Sequence, residues 1–224
     1  MNIAQYIDHT LLKPATTIHE LKNLCEEAIR YNFYAVCVPP PLVKNARGIL
    51  VNSGVKTATV IGFPFGYSIA RAKLVEAQQA IQDGADELDV VINLIALKSK
   101  AWQYLELEME AIVEAAHAQN RLVKVIIESG VLTDEEIIKC CEIYAKTGVD
   151  FLKTSTGYAE KGATIEAVQL MRAHLPSSIK IKASGGIRSY EQADQYIKAG
   201  ANRLGTSSGV AIVTGAPQNG NTGY

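Results

Sequence analysis

No stretch of the 224 residues is apolar for long enough to cross a bilayer, since a spanning helix needs about 20 consecutive apolar residues. Neither sign of charge is in excess. The 22 Lys and Arg are balanced by 23 Asp and Glu, which excludes a field able to collect nucleic acid or hold the chain on an anionic membrane. Cysteine is scarce, and Cys25, Cys37, Cys140 and Cys141 show no C-x-x-C spacing. They are expected as reduced thiols, with Cys37 a small buried residue and the vicinal pair too strained to bridge in mid-helix. The four histidines, His9, His19, His117 and His174, share no ligand spacing, so no metal site and no cofactor are expected. The opening MNIAQYIDHT lacks the basic-then-apolar layout of a secretion signal, and the expected location is the cytoplasm.

What is present is ordinary globular material, 48% apolar and 20% charged, enough for a sizeable core. Strand-like runs alternate with helical stretches: YAVCV (34–38), KTATVIG (56–62), ELDVVIN (87–93), LVKVIIE (122–128), FLKTSTG (151–157), IKIKASG (179–185) and RLGTSS (203–208), preceded by a weaker IDHTLL (7–12). Thr17-x-x-Glu20, Thr133-x-x-Glu136 and Ser189-x-x-Gln192 have the spacing of reciprocal helix caps. QDGADELDV, KTGVDFLKT and KAGANRLGT repeat one plan, a helix stopped at Gly84, Gly148 or Gly200 with a strand two or three residues later. Such alternation makes parallel sheet covered by helices. No linker or composition shift divides it, so one domain is expected over residues 1–213, with a polar tail at 214–224.

An open doubly wound sheet and a closed (β/α)8 TIM barrel both fit this order. The polar residues favour the barrel. In an open parallel sheet both strand faces are covered and should be apolar. Here period two puts Glu87, Asp89, Val91 and Asn93 on one side of ELDVVIN, Lys124 and Glu128 on one side of LVKVIIE, and Lys153 and Ser155 together with Phe151. Lys180, Lys182 and Ser184 likewise lie opposite Ile181 and Ala183. Strands with apolar outer faces and charges within suit a barrel whose upper interior is an active site.

Asp89, Lys124, Lys153 and Lys182 then occupy four neighbouring strands. The plain reading is a charge-balanced interior in which the lysines hold only each other's partners. Three lysines against few acids strain that reading, because excess positive charge in a closed interior drives one lysine to lose its proton. An ordinary lysine, with a pKa of about 10.4, is almost wholly protonated at pH 7. A neighbouring ammonium lowers it into the range of catalytic lysines, about 7–8. A neutral amine can attack a carbonyl to form a Schiff base, and the protonated imine is an electron sink for making or breaking a carbon–carbon bond. Spacing alone does not rank Lys153 over Lys182 as the nucleophile.

FLKTSTG, KIKASGGIR, ELDVVIN, LVKVIIESG, VIGFP (60–64) and IDHTLLKP together resemble, in the same order, the 2-deoxyribose-5-phosphate aldolase family. The likeness runs from Asp8 to Ser208. It implies a (β/α)8 class I aldolase without metal or cofactor, cleaving 2-deoxy-D-ribose 5-phosphate to D-glyceraldehyde 3-phosphate and acetaldehyde in deoxyribonucleotide breakdown. Carried over by position, Lys153 resembles the Schiff-base nucleophile and Lys182 the neighbour that perturbs it. Asp89 resembles the proton donor and acceptor, and Lys124 the partner that orients Asp89. The resemblance also implies a homodimer, with sugar phosphate and aldehydes as its small-molecule partners.

For the substrate, Thr156 and Gly157 follow the sixth strand, Gly185, Gly186 and Arg188 the seventh, and Gly205, Ser207 and Ser208 the eighth, where barrels commonly hold phosphate. A helix starting after Ser207-Ser208 would add amide donors. Tyr158 stands where some members of the family carry a lysine, which makes the phosphate pocket less positive. The terminal Tyr224 resembles a tail tyrosine that returns over the mouth as a proton relay. Two other readings remain: a Schiff-base lyase or transaldolase on another sugar phosphate, for which a carboxylate-bearing donor would want an arginine near Lys153, and a non-catalytic sugar-phosphate-binding barrel.

Overall fold

Three of the helices begin where the sequence places reciprocal caps. At α1 (Ile18–Arg30) the Thr17 hydroxyl accepts from the Glu20 amide while the Glu20 carboxylate accepts from the Thr17 amide at 2.8 Å. The same box opens α6 (Asp134–Tyr144) and α8 (Tyr190–Lys198). Each satisfies backbone N–H groups that the first turn leaves without partners. Gly84, Gly148 and Gly200 have φ of 101°, 78° and 115°, the left-handed stop the repeat requires.

The computed structural model describes residues 2–215. Between these stops and starts lie β1 (Ile7–Thr10), β2 (Ala35–Val38), β3 (Lys56–Ile61), β4 (Glu87–Val91), β5 (Leu122–Ile126), β6 (Phe151–Lys153), β7 (Lys180–Ser184) and β8 (Arg203–Thr206). They close into a parallel barrel in chain order, β8 returning to β1 with Ile7 opposite Leu204. The remaining helices are α2 (Val43–Ile49), α3 (Ala70–Gln82), α4 (Leu94–Lys98), α5 (Trp102–His117), α7 (Ile165–His174) and α9 (Gly209–Thr214).

Period two sorts the strands as expected. Leu88, Val90, Val123, Val125, Leu152, Ile181 and Ala183 face outward and join the helices in one continuous core. Inside, a separate apolar cluster of Leu12, Cys37, Ala58 and Val60 sits on the β1–β3 side, and charge fills the rest. Several strands end earlier than their apolar runs. β6 stops at Lys153 because the next residues leave the ladder and Gly157 turns to φ 91°. β4 stops at Val91 because Asn93 caps α4, its side-chain oxygen accepting from the Ala96 amide at 3.0 Å.

Candidate active site

Register places the charges. Asp89 lies beside Lys124, Lys153 beside Lys182, and Lys182 beside Arg203. Asp89 is the hub. Its Oδ1 accepts from Lys124 Nζ at 2.7 Å, and its Oδ2 accepts from Lys153 Nζ at 2.8 Å and Lys182 Nζ at 2.7 Å. Lys182 also lies 2.5 Å from Asp8 Oδ2, and Lys124 lies 2.7 Å from Glu87 Oε2. Below them Arg203 Nη2 reaches Asp8 Oδ1 at 2.5 Å and Glu87 Oε2 at 2.8 Å. Lys124 and Lys182 are 0% exposed and Lys153 3%.

The expected excess of cations is therefore reduced to a single charge. Asp8, Glu87 and Asp89 face Lys124, Lys182, Lys153 and Arg203, and the acids are distributed unevenly. Burial lowers Lys124 and Lys182, but for Lys124 the Asp89 and Glu87 carboxylates, and for Lys182 those of Asp8 and Asp89, outweigh it and raise both pKa values. For Lys153 burial wins. Its pKa is lowered, with Asp89 pulling upward and the Lys182 charge adding a further push downward. The sequence-based expectation thus holds in direction and is corrected in cause: desolvation comes first, and the neighbouring ammonium second. Asp89 resists its own burial because Lys124, Lys153 and Lys182 hold its carboxyl well below the usual range.

Asp8 and Arg203 belong to this network, and the sequence reading singled out neither for it. Burial pushes the Asp8 carboxyl up, but Arg203, Lys182 and Lys124 outweigh it and hold it at about 2. A carboxyl lowered on folding stabilises the protein fully above its unfolded pKa of about 4, and that contribution disappears as pH falls toward the folded value. Wild type is expected to lose roughly 2 kcal/mol from this group between pH 4 and 2. In urea unfolding at a series of pH values, Asp8→Asn should show a correspondingly shallower acid dependence; equal slopes would contradict it.

Above the charges, a cavity of about 180 Å³ gathers most of the expected substrate-binding positions: Gly157, Gly185, Gly186, Arg188, Gly205, Ser207 and Ser208. Glycine leaves room where the Gly162 backbone and the Lys182 side chain approach. A Cβ on Gly185 would fall 2.9 Å from Gly162 Cα, and one on Gly205 would fall 3.1 Å from Lys182 Cε. Arg188 and Glu160 are the charged side chains of the lining. Thr156 does not line the cavity; its hydroxyl donates to Glu128 and accepts from the Tyr158 amide. The helix after Ser208 is α9, a single six-residue stretch, so the amides at its start have little dipole behind them. Tyr158 turns away from the cavity across the barrel mouth, its ring edge-on to Phe63 at 5.4 Å and its hydroxyl donating to Leu12 O at 3.0 Å. Tyr224 lies outside the described residues.

Cys37 is fully buried inside the barrel, and burial pushes its thiol up to about 11. His9 pairs with Glu27 at 2.7 Å and His117 with Asp150 at 3.0 Å. Among the described residues no three His, Cys, Asp or Glu side chains are grouped to hold a metal, and no helix is long and apolar enough to cross a membrane.

Residues 2–215 match the family model described as DeoC/LacD family aldolase. The chain is 53% identical over 217 residues to a deoxyribose-phosphate aldolase of Thermococcus kodakarensis, covering 96% of this chain and 97% of the relative. It is 50% identical to one of Streptococcus gordonii, covering 99% and 100%. A solved deoxyribose phosphate aldolase from Aeropyrum pernix, described as tetrameric, superposes with a TM-score of 0.88 at 37% identity, covering 94% of this chain and 89% of the other.

Proposed function

Because this chain belongs to the DeoC/LacD family of aldolases, we propose that it cleaves 2-deoxy-D-ribose 5-phosphate reversibly to D-glyceraldehyde 3-phosphate and acetaldehyde, through a Schiff base on Lys153. One observation carries the assignment of the nucleophile. Three buried lysines share the Asp89 carboxylate, and Lys153 alone of the three has its pKa lowered while Lys124 and Lys182 are raised. The amine that loses its proton most readily is the one that can attack.

Neutral Lys153 Nζ adds to the C1 carbonyl of the open-chain sugar. Asp89 Oδ2, 2.8 Å from that nitrogen, is placed to pass protons to and from the carbinolamine oxygen as water leaves. The protonated imine then takes up the electron pair of the C2–C3 bond as the C3 hydroxyl loses its proton and the three-carbon aldehyde departs. The remaining enamine is protonated at its terminal carbon and hydrolysed to acetaldehyde and free lysine. Lys182, 2.7 Å from the same carboxylate oxygen, stays charged and holds Asp89 in place. Lys124 holds the other oxygen. The phosphate fits the glycine-lined cavity on the loops after β6, β7 and β8, the strands that carry Lys153 and Lys182. A donor bearing a carboxylate would need a free cation beside Lys153, but Arg203 is committed to Asp8 and Glu87 and Arg188 lines the cavity assigned to the phosphate.

Borohydride reduction in the presence of acetaldehyde tests the reading. A stable two-carbon adduct is expected on Lys153; an adduct on Lys182, or none, would overturn it. The ascending limb of kcat/KM follows deprotonation of Lys153, so activity rises with pH through its lowered pKa. Because the Lys182 charge depresses Lys153, Lys182→Met should move that limb to higher pH among the residual activity. A limb that stays in place would remove Lys182 from the perturbing role.

The enzyme is assigned to the cytoplasm and to a homodimer. The dimer reading is supported by the exposed Phe65, Tyr67, Ile69 and Val75, large side chains seldom gathered on a free surface. Sedimentation velocity at micromolar concentration distinguishes dimer from monomer and tetramer.

A further inference from the structure

Glu128 follows β5, where the sequence reads IIESG, and three features set it apart. Its backbone is left-handed, φ 56° and ψ 56°, a conformation that non-glycine residues adopt at a cost and keep where surrounding contacts enforce it. Its side chain is 4% exposed, yet among the described residues no lysine or arginine pairs with it. Both carboxylate oxygens are instead spent on one residue: Oε1 accepts from the Thr156 amide at 3.2 Å, and Oε2 accepts from the Thr156 hydroxyl. Burial raises its pKa in spite of these bonds and the nearby Lys153 charge.

What Thr156 holds gives the arrangement its purpose. Its hydroxyl accepts from the Tyr158 amide at 3.0 Å, so the chain Glu128–Thr156–Tyr158 fixes the backbone on both sides of Gly157. Gly157 lines the anion cavity, and Tyr158 spans the mouth to Leu12 and Phe63. The turn at Glu128 is itself pinned to the same loop, with the Ser129 amide donating to Thr154 O at 2.7 Å and the Ile127 amide donating to Lys153 O at 3.1 Å. A carboxylate at the end of β5 thus decides where the loop after the nucleophile lies.

We propose that Glu128 is a positioning residue for the phosphate end of the substrate, acting through Thr156 to set Gly157 against the anion cavity and Tyr158 across the mouth. The proposal rests on the aldolase reading of the site. It separates the phosphate end from the imine end, because the Thr156 contacts fall after Lys153 in the chain, next to Gly157 of the cavity lining.

Kinetics on 2-deoxyribose 5-phosphate and on unphosphorylated 2-deoxyribose test it. Glu128→Ala and Thr156→Val are each expected to lower the ratio of kcat/KM for the phosphorylated over the free sugar about tenfold, mainly through KM. The double variant should lose less than the sum of the two single losses, since both remove the bond between the Thr156 hydroxyl and Glu128. Glu128→Gln keeps an acceptor oxygen for Thr156 and should recover most of the ratio. A general structural role would depress both substrates in parallel and leave the ratio unchanged, and that result, or fully additive losses, would overturn the proposal. If Glu128→Ala does not fold, Thr156→Val removes only a hydroxyl and carries the same expectation. Acetaldehyde trapping on wild-type Lys153 keeps the two readings apart: its failure would count against the aldolase assignment, whereas an unchanged substrate ratio with trapping intact would count against Glu128 alone.

Discussion

Replacing Lys153 with arginine is expected to reduce cleavage of 2-deoxyribose 5-phosphate by on the order of 10⁵-fold or more. Arginine keeps a positive charge beside Asp89, where Lys153 now donates at 2.8 Å, so the buried network retains a cation at this point. What it cannot do is become neutral within any accessible pH range. The substitution therefore tests for a bare amine rather than for a charge. Phosphate binding and the proton-handling groups remain, but without an imine the C2–C3 electron pair has nowhere to go, and the residual rate is set by binding and orientation alone. Acetaldehyde release followed over hours, together with loss of the borohydride adduct, measures the effect. Lys153→Met asks the same question with the charge removed and should be equally inactive. An arginine variant turning over within tenfold of wild type would mean that the lysine serves as an anion ligand and that the chemistry lies elsewhere.

The parts of this site legible in the sequence are those governed by local rules. Reciprocal caps and glycine stops fixed where helices began and ended, and period two placed Asp89, Lys124, Lys153 and Lys182 on inward faces of adjacent strands. Asp8 and Arg203 escaped because each is a lone charge on a four-residue strand, indistinguishable from a solvated strand end. Only closure of the barrel, which lays β8 against β1, brings them within 2.7 Å across 195 positions of sequence. Leaving Asp8 and Glu87 without their lysine partners made the interior look shorter of acid than it is and made like-charge repulsion the obvious reason for a perturbed lysine. With Asp8 and Glu87 counted, Lys124 and Lys182 are each paired with two carboxylates and stay charged, whereas Lys153 shares one oxygen of one carboxylate and is governed by burial. Thr156 escaped for a different reason. Alternation ends with β6 at Lys153, and beyond it no periodic rule says whether a hydroxyl faces the cavity or a buried glutamate. Lys73 shows the same limit outside the barrel. Nothing in its helix marks it as buried, yet it pairs with Glu108 at 2.9 Å and donates to Val91 O at 2.8 Å, tying down the end of the strand that carries Asp89.

Asp89→Asn should damage both stability and turnover, for two separable reasons. The side chain keeps its shape but loses the charge on which three ammonium groups converge. Removing one partner of a buried ionic network leaves the others uncompensated, a cost of roughly 3–5 kcal/mol, read as a lowered denaturant midpoint. Some of that cost is relieved by deprotonation. Lys153, whose pKa burial and Lys182 lower and Asp89 raises, is the group that should give up its proton. The amide variant is therefore expected to hold a more nucleophilic lysine than wild type, with adduct formation moving to lower pH. Turnover should nevertheless fall about 10³-fold, the scale of a lost general acid–base group, because no carboxylate remains to exchange protons with the carbinolamine and the C3 hydroxyl. Opposite movements of imine formation and cleavage would separate the electrostatic role of Asp89 from its chemical one. A variant that lost stability but kept turnover within tenfold would leave Asp89 as a counter-ion only, and the proton transfers would then have to run through Lys182.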